Sequence, residues 1–237
     1  MKVVLLYIAV SGGPITENHC AKFVTTYHEF PPGIDHETII VSQGGPLPTS
    51  TSVLFEGMNV KMWPHDNHAG WDVTAYLHAA RGPCHDADIM LCLGESVYFH
   101  RAGWFKRLVE AWEKFGPGMY GPFSSNYIRA HLQTTAFCCA PSLLREYPVP
   151  VNNRADRMAF EHGPHAFWRY VQRRGFPVRL VTWDGEWEPR FWRGPPDIHY
   201  RGTQANCLMW CNHSDGFAKA DLKIKVLWSR CYDQPFQ

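Results

Sequence analysis

The fold is decided near the amino end of the sequence, by the apolar run Val3-Val-Leu-Leu-Tyr-Ile-Ala-Val10 and the turn Ser11-Gly-Gly-Pro14 that closes it. An uninterrupted apolar run of this length, bounded by turn residues, is typical of a strand that is buried on both faces of a parallel sheet. Consecutive parallel strands need a crossover connection, so a helix is expected next. The following segment has the apolar spacing of a helix, at Cys20, Phe23, Val24 and Tyr27.

The alternation of strands and helices continues through the first half of the chain. Apolar runs predict strands over residues 37–42, 59–63 and 88–93. Helical spacing predicts a first helix with Thr16 as its N-cap, and further helices over residues 71–80 and 104–115. This alternation predicts an α/β fold with a mostly parallel central sheet flanked by helices. Ligands of such sheets bind outside the carboxyl ends of the strands, so functional residues are expected there.

The second half of the sequence is less regular. Its pattern predicts a strand over residues 134–139, a short helix over 141–146, a helix over 160–174 and a strand over 178–183. The segment from Trp183 to Pro196 is rich in tryptophan, proline, glycine and arginine, and so many aromatic residues favour an ordered loop over a disordered one.

Length and composition exclude several classes of protein. The chain has 237 residues, 45% of them hydrophobic, which is enough to bury a sizeable core in one domain. Its 23 basic and 22 acidic residues include no basic run, so nucleic acid is not expected as a partner. The run from Val3 to Val10 is shorter than the roughly 20 residues of a membrane span. It also has the form of a signal-peptide core, but the strand-turn-helix pattern that follows favours a cytoplasmic protein.

The eight cysteines do not form the pattern of a disulfide framework. They are scattered through mostly apolar surroundings, at Cys20, Cys84, Cys92, Cys138, Cys139, Cys207, Cys211 and Cys231. Reduced thiols are therefore expected. The spacing Cys207-x-x-x-Cys211-x-His213 has a metal-like form, but it lacks a nearby fourth ligand, so core cysteines are the preferred interpretation.

The order of these segments resembles the nucleotide-sugar glycosyltransferases of the GT-A fold, nearest their family-2-like branch. The resemblance covers about residues 2 to 185 and depends on the order of its motifs. These motifs are Asp66-Asn-His-Ala-Gly70-Trp-Asp72, Gly94-Glu-Ser96, Thr134 to Leu144, Phe160-Glu-His162 and Arg173-Arg-Gly175. It implies a single Rossmann-like domain over residues 1–237. Residues 1–100 would bind the nucleotide-sugar, and residues 101–237 would bind the acceptor.

The resemblance implies a UDP- or GDP-linked sugar as the donor. The residues expected to bind it lie at or after the strand ends, and they are Val10, Ser11, Gln43, Asp66, Asn67, Asp72, Glu95 and Ser96. Carboxylate and amide groups can bond to the ring N–H groups of a base and to ribose hydroxyls. Turn formation and helix capping are the alternative roles of Asp66, Asn67 and Asp72.

The sequence departs from this family at the metal site. The family has an Asp-x-Asp motif that holds Mn²⁺ or Mg²⁺ against the donor diphosphate, whereas this chain has Gly94-Glu95-Ser96. Glu95 is the remaining carboxylate ligand, and the resemblance adds His213 as a late-chain ligand. Three explanations remain open: a weakened metal site, a metal-free transferase that neutralises the diphosphate with Arg190 and Arg193, and an inactive enzyme.

Glu161 matches the family's acidic motif and is expected to be the catalytic base that deprotonates the acceptor hydroxyl in an inverting transfer. The alternative is a solvent-facing carboxylate at a helix start, favoured by the helix dipole. The side chains expected to contact the acceptor or the diphosphate are His162, Trp183, Asp184, Arg190 and Arg193. Aromatic faces and charged groups suit a sugar, although the tryptophans have core packing as an alternative role.

These expectations describe a glycosyltransferase that moves a sugar from a nucleotide-sugar to a glycan or a related acceptor. The alternative is a protein that keeps the fold and binds nucleotide or carbohydrate without turnover.

Overall fold

The structure is a computed structural model that describes residues 1–125 and 130–233, except for the side chains of residues 230–233. Its strands are β1 (Val3–Val10), β2 (Glu37–Gln43), β3 (Val60–His65), β4 (Ile89–Leu93), β5 (Met119–Gly121), β6 (Ser124–Ser125), β7 (His131–Leu132), β8 (Ala136–Cys139), β9 (Val178–Val181) and β10 (Glu186–Trp187). Its α-helices are α1 (Thr16–Glu29), α2 (Thr49–Ser52), α3 (Trp71–Arg81), α4 (Trp104–Phe115), α5 (Pro141–Arg145), α6 (Arg154–His162), α7 (Phe167–Arg173), α8 (Asn212–Lys219) and α9 (Leu222–Asp233).

Eight of the strands form one sheet in the order β10-β9-β5-β8-β4-β1-β2-β3. Strands β4, β1, β2 and β3 are parallel to one another, and β5 is parallel to β9. Strand β8 runs antiparallel between β4 and β5, and β10 is antiparallel to β9. The predicted α/β fold with a mostly parallel sheet is therefore confirmed.

Helices cover both faces of the sheet because its strands are apolar on both sides. In β1, Leu6 belongs to one apolar cluster, which also contains buried side chains of α3, α5, α6 and α7. Its neighbour Tyr7 belongs to a second cluster on the opposite face, with Phe23 of α1 and Trp104 of α4. Burial of each large apolar side chain contributes about 1.5 to 3 kcal/mol, so both faces stabilise the sheet.

Strand β8 brings the second half of the chain to the carboxyl edge of the parallel strands. Ala136 is paired with Leu93, the last residue of β4. The N–H of Gly94 donates to the carbonyl oxygen of Thr135 at 2.8 Å. The residues just before β8 therefore lie beside the residues that follow β4.

Two predicted helix boundaries are wrong. The helix expected over residues 160–174 is two helices, α6 and α7, which are separated at Gly163-Pro164. Asn153 caps α6 by accepting a hydrogen bond from the N–H of Asp156 at 3.0 Å. Glu161 consequently lies near the end of a helix and not at its start. In α1 the N-cap is Ile15, and the side chain of Thr16 donates to Glu95 instead of capping the helix.

The cysteines described by the structure confirm the expectation of reduced thiols. Seven of the eight are buried and unpaired; the side chain of Cys231 lies outside the described residues. Cys207 and Cys211 are fully buried in the second apolar cluster, as the preferred interpretation expected. Within residues 1–125 and 130–233, none of the helices has the length and apolar character needed to cross a bilayer.

Candidate active site

Three cavities lined by described residues lie near the carboxyl edge of the sheet. The one beside His65, of about 410 Å³, contains Asn67 alone of the predicted site residues, whereas the other two each contain several. The tryptophan cavity, of about 320 Å³, is lined by Ile8, Val10, Gln43, His68, Trp71 and Asp72. The histidine cavity, of about 300 Å³, is lined by Ser125, His131, Gln133, Thr135, Arg157, Glu161, His162, Tyr200, His213 and Trp228. The sequence-predicted donor residues Val10, Gln43 and Asp72 meet in the tryptophan cavity. The predicted base Glu161 meets His162 and His213 in the histidine cavity.

Gln43 shapes the tryptophan cavity by holding the segment before α3. Its buried amide nitrogen donates to the carbonyl oxygens of Trp71 at 2.6 Å and Asn67 at 3.3 Å. Trp71 has a φ of 53°, a conformation that costs a non-glycine residue on the order of 1 to 3 kcal/mol. Its side chain remains 49% exposed, and the guanidinium of Arg154 lies 5.0 Å from the ring centroid. The strained backbone thus presents an indole face at the cavity.

Three other predicted donor residues, Ser11, Asp66 and Asn67, lie outside the tryptophan cavity. The amide oxygen of Asn67 accepts from the N–H of Ala69 at 2.8 Å, which is the turn-forming role considered as an alternative. The hydroxyl of Ser11 donates to the carbonyl oxygen of Pro46 at 2.6 Å. Asp66 is exposed and lines none of the three cavities. These three residues therefore do not join Val10, Gln43 and Asp72.

Glu161 is buried at the wall of the histidine cavity, with only 5% of its surface exposed. Its Oε1 accepts hydrogen bonds from the N–H of Thr134 at 2.9 Å and from the Thr134 hydroxyl at 3.2 Å. Its Oε2 accepts from Arg157 at 2.5 Å. The alternative of a solvent-facing carboxylate at a helix start is therefore wrong.

An ion-pair network joins the two cavities. The Nε of Arg157 lies 3.3 Å from Oδ1 of Asp72, which lines the tryptophan cavity, while its Nη1 bonds to Glu161. Burial raises the pKa of Asp72 despite the opposing effect of Arg157. Burial also opposes ionisation of Glu161, but Arg157, His131, His162 and the N–H of Thr134 together lower its pKa. Glu161 is therefore held as a carboxylate.

The histidines of the second cavity are packed against this carboxylate. The Nε2 of His162 lies 3.4 Å from Oε2 of Glu161, and its Nδ1 lies 3.2 Å from Nδ1 of His131. Burial and the neighbouring His131 lower the pKa of His162 to about 4, so its ring is neutral at pH 7. Burial also lowers the pKa of His213, which lines the same cavity.

The Gly94-Glu95-Ser96 triplet does not fit the metal site that the resemblance implies. Oε1 of Glu95 accepts from the N–H of Val10 at 3.2 Å and from the Thr16 hydroxyl, and Oε2 lies 3.4 Å from Nδ1 of His19. The hydroxyl of Ser96 donates to Asn212 at 3.0 Å. Among the described side chains, Glu95 belongs to no group of three potential metal ligands, so the triplet lacks a ligand set. Its carboxylate instead connects β1 and α1 to the end of β4.

The predicted acceptor residues of the loop after β9 do not converge on Glu161. Asp184 accepts from the Thr182 hydroxyl and from Asn206, each at 2.8 Å, and so fixes a turn. Arg190 is exposed and pairs with Glu188 at 3.2 Å. The loop also contains Trp183 and Arg193, and neither lines the tryptophan cavity or the histidine cavity. Nearby Trp192 is buried in the core, the alternative role considered for the loop's tryptophans.

Several residues that line the two cavities were not predicted as site residues from the sequence. Arg157 had a local signal, because it lies four residues before Glu161 and such pairs meet on one helix face. Trp71 and His68 lie inside the segment that carries the resemblance, but neither was singled out. His131 belongs to the two-residue strand β7, and Gln133 follows it. A strand this short shows no periodic pattern in the sequence.

The fold is shared with solved structures of low sequence identity. A cytidylyltransferase from Leptospira borgpetersenii serovar Hardjo-bovis (strain JB197) has a TM-score of 0.50 and 12% identity, over 74% of this chain and 74% of its own. TarS 1-349 of S. aureus has a TM-score of 0.50 and 11% identity, over 68% of this chain and 54% of that fragment. This chain thus corresponds to about half of the TarS fragment.

The sequence itself gives no such match, since no family model and no curated protein matches it. The likeness is therefore one of architecture, and it agrees with the fold that the motif order implies. The chain has a GT-A-like fold of the kind found in nucleotide-sugar transferases.

Proposed function

We propose that this protein is a glycosyltransferase that transfers a sugar from a nucleotide-sugar donor to a glycan or related acceptor. The observation that carries the proposal is the pair of cavities at the carboxyl edge of a GT-A-like sheet, joined by the Asp72–Arg157–Glu161 network. Substrates of open α/β sheets bind at this edge. Two adjoining cavities suit a reaction that brings two substrates together.

In this proposal the tryptophan cavity binds the nucleotide of the donor. The exposed indole of Trp71 offers a face on which a base can stack, and such stacking contributes about 1 to 3 kcal/mol. The carboxylate of Asp72 and the main chain at Val10 supply polar partners on the same wall. TarS 1-349 has been solved in complex with UDP and with UDP-GlcNAc, which is consistent with a UDP-linked donor.

The histidine cavity would receive the acceptor, with Glu161 as the base that takes the proton of its hydroxyl. Hydrogen bonds from Arg157 and Thr134 stabilise the charged carboxylate of Glu161, which is therefore ionised at neutral pH. The same contacts make it a weaker base than an isolated carboxylate, and the transfer therefore depends on orientation as well as on basicity. An inverting outcome follows from a base without a separate nucleophile.

A divalent cation such as Mn²⁺ or Mg²⁺ is compatible with this class of reaction, but the contacts of Glu95 and Ser96 do not favour it at their triplet. Cationic side chains would then neutralise the leaving diphosphate. The charge of Arg157 is shared between Asp72 and Glu161, so the exposed guanidinium of Arg154, 5.0 Å from the ring centroid of Trp71, is a further candidate for this role beside Arg190 and Arg193.

A second candidate function is nucleotidyl transfer, in which a nucleoside triphosphate and a phosphorylated substrate give pyrophosphate. The likeness to the Leptospira cytidylyltransferase, which extends over 74% of both chains, favours considering it. Binding without turnover is the remaining alternative, and the altered metal triplet motivates it.

Product analysis separates these functions. The wild-type protein is incubated with UDP-, GDP- or CDP-sugars and a glycan acceptor, and separately with CTP and sugar phosphates. We expect release of a nucleoside diphosphate with the sugars, and a decrease of about 10²- to 10⁴-fold in Glu161→Gln. The melting temperature of the variant serves as the folding control. Pyrophosphate release would instead identify a nucleotidyltransferase, and binding without any product would contradict both enzymatic functions.

A further inference from the structure

We infer that His131, Glu161 and His162 form a binding site for a divalent transition metal of the zinc class. One potential ligand atom from each of these residues lies within 4.8 Å of the other two. Among the side chains that the structure describes, those of residues 1–125 and 130–229, this is the one such group of three histidine, cysteine or acidic residues. The site differs from Glu95, where the resemblance implies a metal, and it does not depend on the proposed function.

The donor atoms indicate which metals the site would prefer. Two imidazoles and one carboxylate form a ligand set that zinc and neighbouring transition metals use, whereas Mg²⁺ and Ca²⁺ prefer oxygen ligands. Bonds of about 2.1 Å in a tetrahedral site separate the ligand atoms by about 3.4 Å. Here Nε2 of His162 lies 3.4 Å from Oε2 of Glu161, and Nε2 of His131 lies 4.0 Å from Oε1.

The charged groups around the three residues favour the binding of a cation. Arg157 is shared between the carboxylates of Asp72 and Glu161, so one positive group faces two negative ones. A bound metal would balance the remaining negative charge. The hydrogen bonds from Thr134 and Arg157 also fix the orientation of Glu161, as outer partners commonly do for ligands of metals.

A buried oxygen of Gln133 independently indicates that a further ligand binds in the histidine cavity. The side-chain oxygen of Gln133 is buried and has no hydrogen-bond partner among the described residues, and Gln133 lines the same cavity. The residue is only 7% exposed, so an unsatisfied oxygen there is costly. A water molecule or substrate hydroxyl on the metal would donate to it.

Three protein ligands and an open position are typical of catalytic and not of structural zinc. The cavity beside the group, about 300 Å³ in volume, can hold the molecule in that position. Where the proposed function also holds, Glu161 would serve as a ligand of the bound metal, and the metal would polarise an acceptor hydroxyl in the open position, whose proton would pass to water in the cavity. Metal binding itself does not rest on that function.

Cobalt binding tests this inference without any nucleotide. Co²⁺ is titrated into metal-free wild-type protein and the visible absorption is recorded. We expect one Co²⁺ per chain and an affinity loss of more than about 100-fold in His162→Asn, with a loss of about tenfold in Gln133→Leu. His28→Asn removes an exposed histidine and Glu95→Gln removes the carboxylate of the triplet, and both should bind Co²⁺ as the wild type does.

X-ray absorption of the zinc-loaded wild type provides a second measurement that needs no variant. We expect imidazole nitrogens and no sulfur in the first coordination shell. Absence of cobalt bands in the wild type, unchanged affinity in folded His162→Asn, or sulfur ligands would each overturn the inference. Nucleotide binding is measured separately, so a failure of the proposed function would leave these results unaffected.

Discussion

Arg157 is the residue on which the structure of the site most depends. Its guanidinium lies between two carboxylates, and all three side chains are largely buried. Replacement by methionine leaves both carboxylates without their cation. We expect Arg157→Met to lower the free energy of unfolding by about 3 to 5 kcal/mol in urea. Arg154→Met, in the same helix, removes an exposed guanidinium whose contact with the Trp71 ring contributes about 0.5 to 1 kcal/mol, so it should lower the free energy of unfolding by less than about 1 kcal/mol. Losses of equal size in the two variants would contradict this network.

The role of single residues was only partly predictable from the sequence. Val10 and Gln43 lie at one edge as predicted, because the carboxyl ends of parallel strands must meet there. Asp72, which was named from the resemblance, lies in the first turn of α3 and lines the same cavity. Glu161 was assigned to the wrong end of its helix, although the Asn153 cap and Gly163-Pro164 break are local signals. The contact of His131 with His162 depends on tertiary packing across a separation of 31 residues, which sequence spacing does not encode.

At the scale of elements, Glu186 connects β10 to α4. Its Oε1 lies 2.5 Å from Arg107 and its Oε2 lies 3.0 Å from Lys114. Burial opposes its ionisation, but these hydrogen bonds outweigh burial and lower its pKa. A lowered folded-state pKa stabilises the fold above the unfolded-state pKa of about 4.3, and this stabilisation is lost as pH falls through the folded-state value.

We therefore expect Glu186→Gln to cost about 1.5 to 3 kcal/mol of unfolding free energy at pH 7. The difference from the wild type should shrink as the pH falls below about 4.3, as urea unfolding at several pH values would show. Glu110→Gln is the matched control, because its exposed pair with Lys106 in α4 contributes about 0.3 to 0.5 kcal/mol. A pH-independent difference for Glu186→Gln would refute the ionic role.

Long periodic elements were predicted well, and short ones were not. Strands β1, β2 and β4 are long enough to be recognised as apolar runs, and helices α3 and α4 are long enough to show helical spacing of their apolar residues. Strand β5 has three residues and β10 has two, so neither shows a period, and their positions come from pairing with β9. The loop after β9 contains β10 and ordered turns, but Asp184 and Arg190 form contacts within the loop and the adjacent turn and not with the two cavities.

At the scale of the whole molecule, the two apolar clusters enclose the described thiols. All seven are buried, and burial raises the pKa of Cys20 and Cys84 to about 12, so little thiolate is present at neutral pH. We expect a thiol reagent to leave the seven described cysteines unlabelled in native protein, and to label all seven in denaturant without a reductant. Rapid native labelling of several of these seven thiols, or fewer than seven of them labelled in denaturant, would contradict the reduced, closed core.

Calorimetric titration of UDP, GDP and CDP tests whether the tryptophan cavity binds a nucleotide. At least one of them should bind the wild type, and Trp71→Ala should weaken it by about 1 to 3 kcal/mol, or roughly 5- to 150-fold. Phe191→Ala is the matched control, since Phe191 and Trp71 are both 49% exposed and Phe191 lines neither cavity. Unchanged affinity in Phe191→Ala with a clear loss in Trp71→Ala is the predicted result. No binding of any nucleotide, or equal affinity in wild type and Trp71→Ala, would contradict nucleotide binding in this cavity.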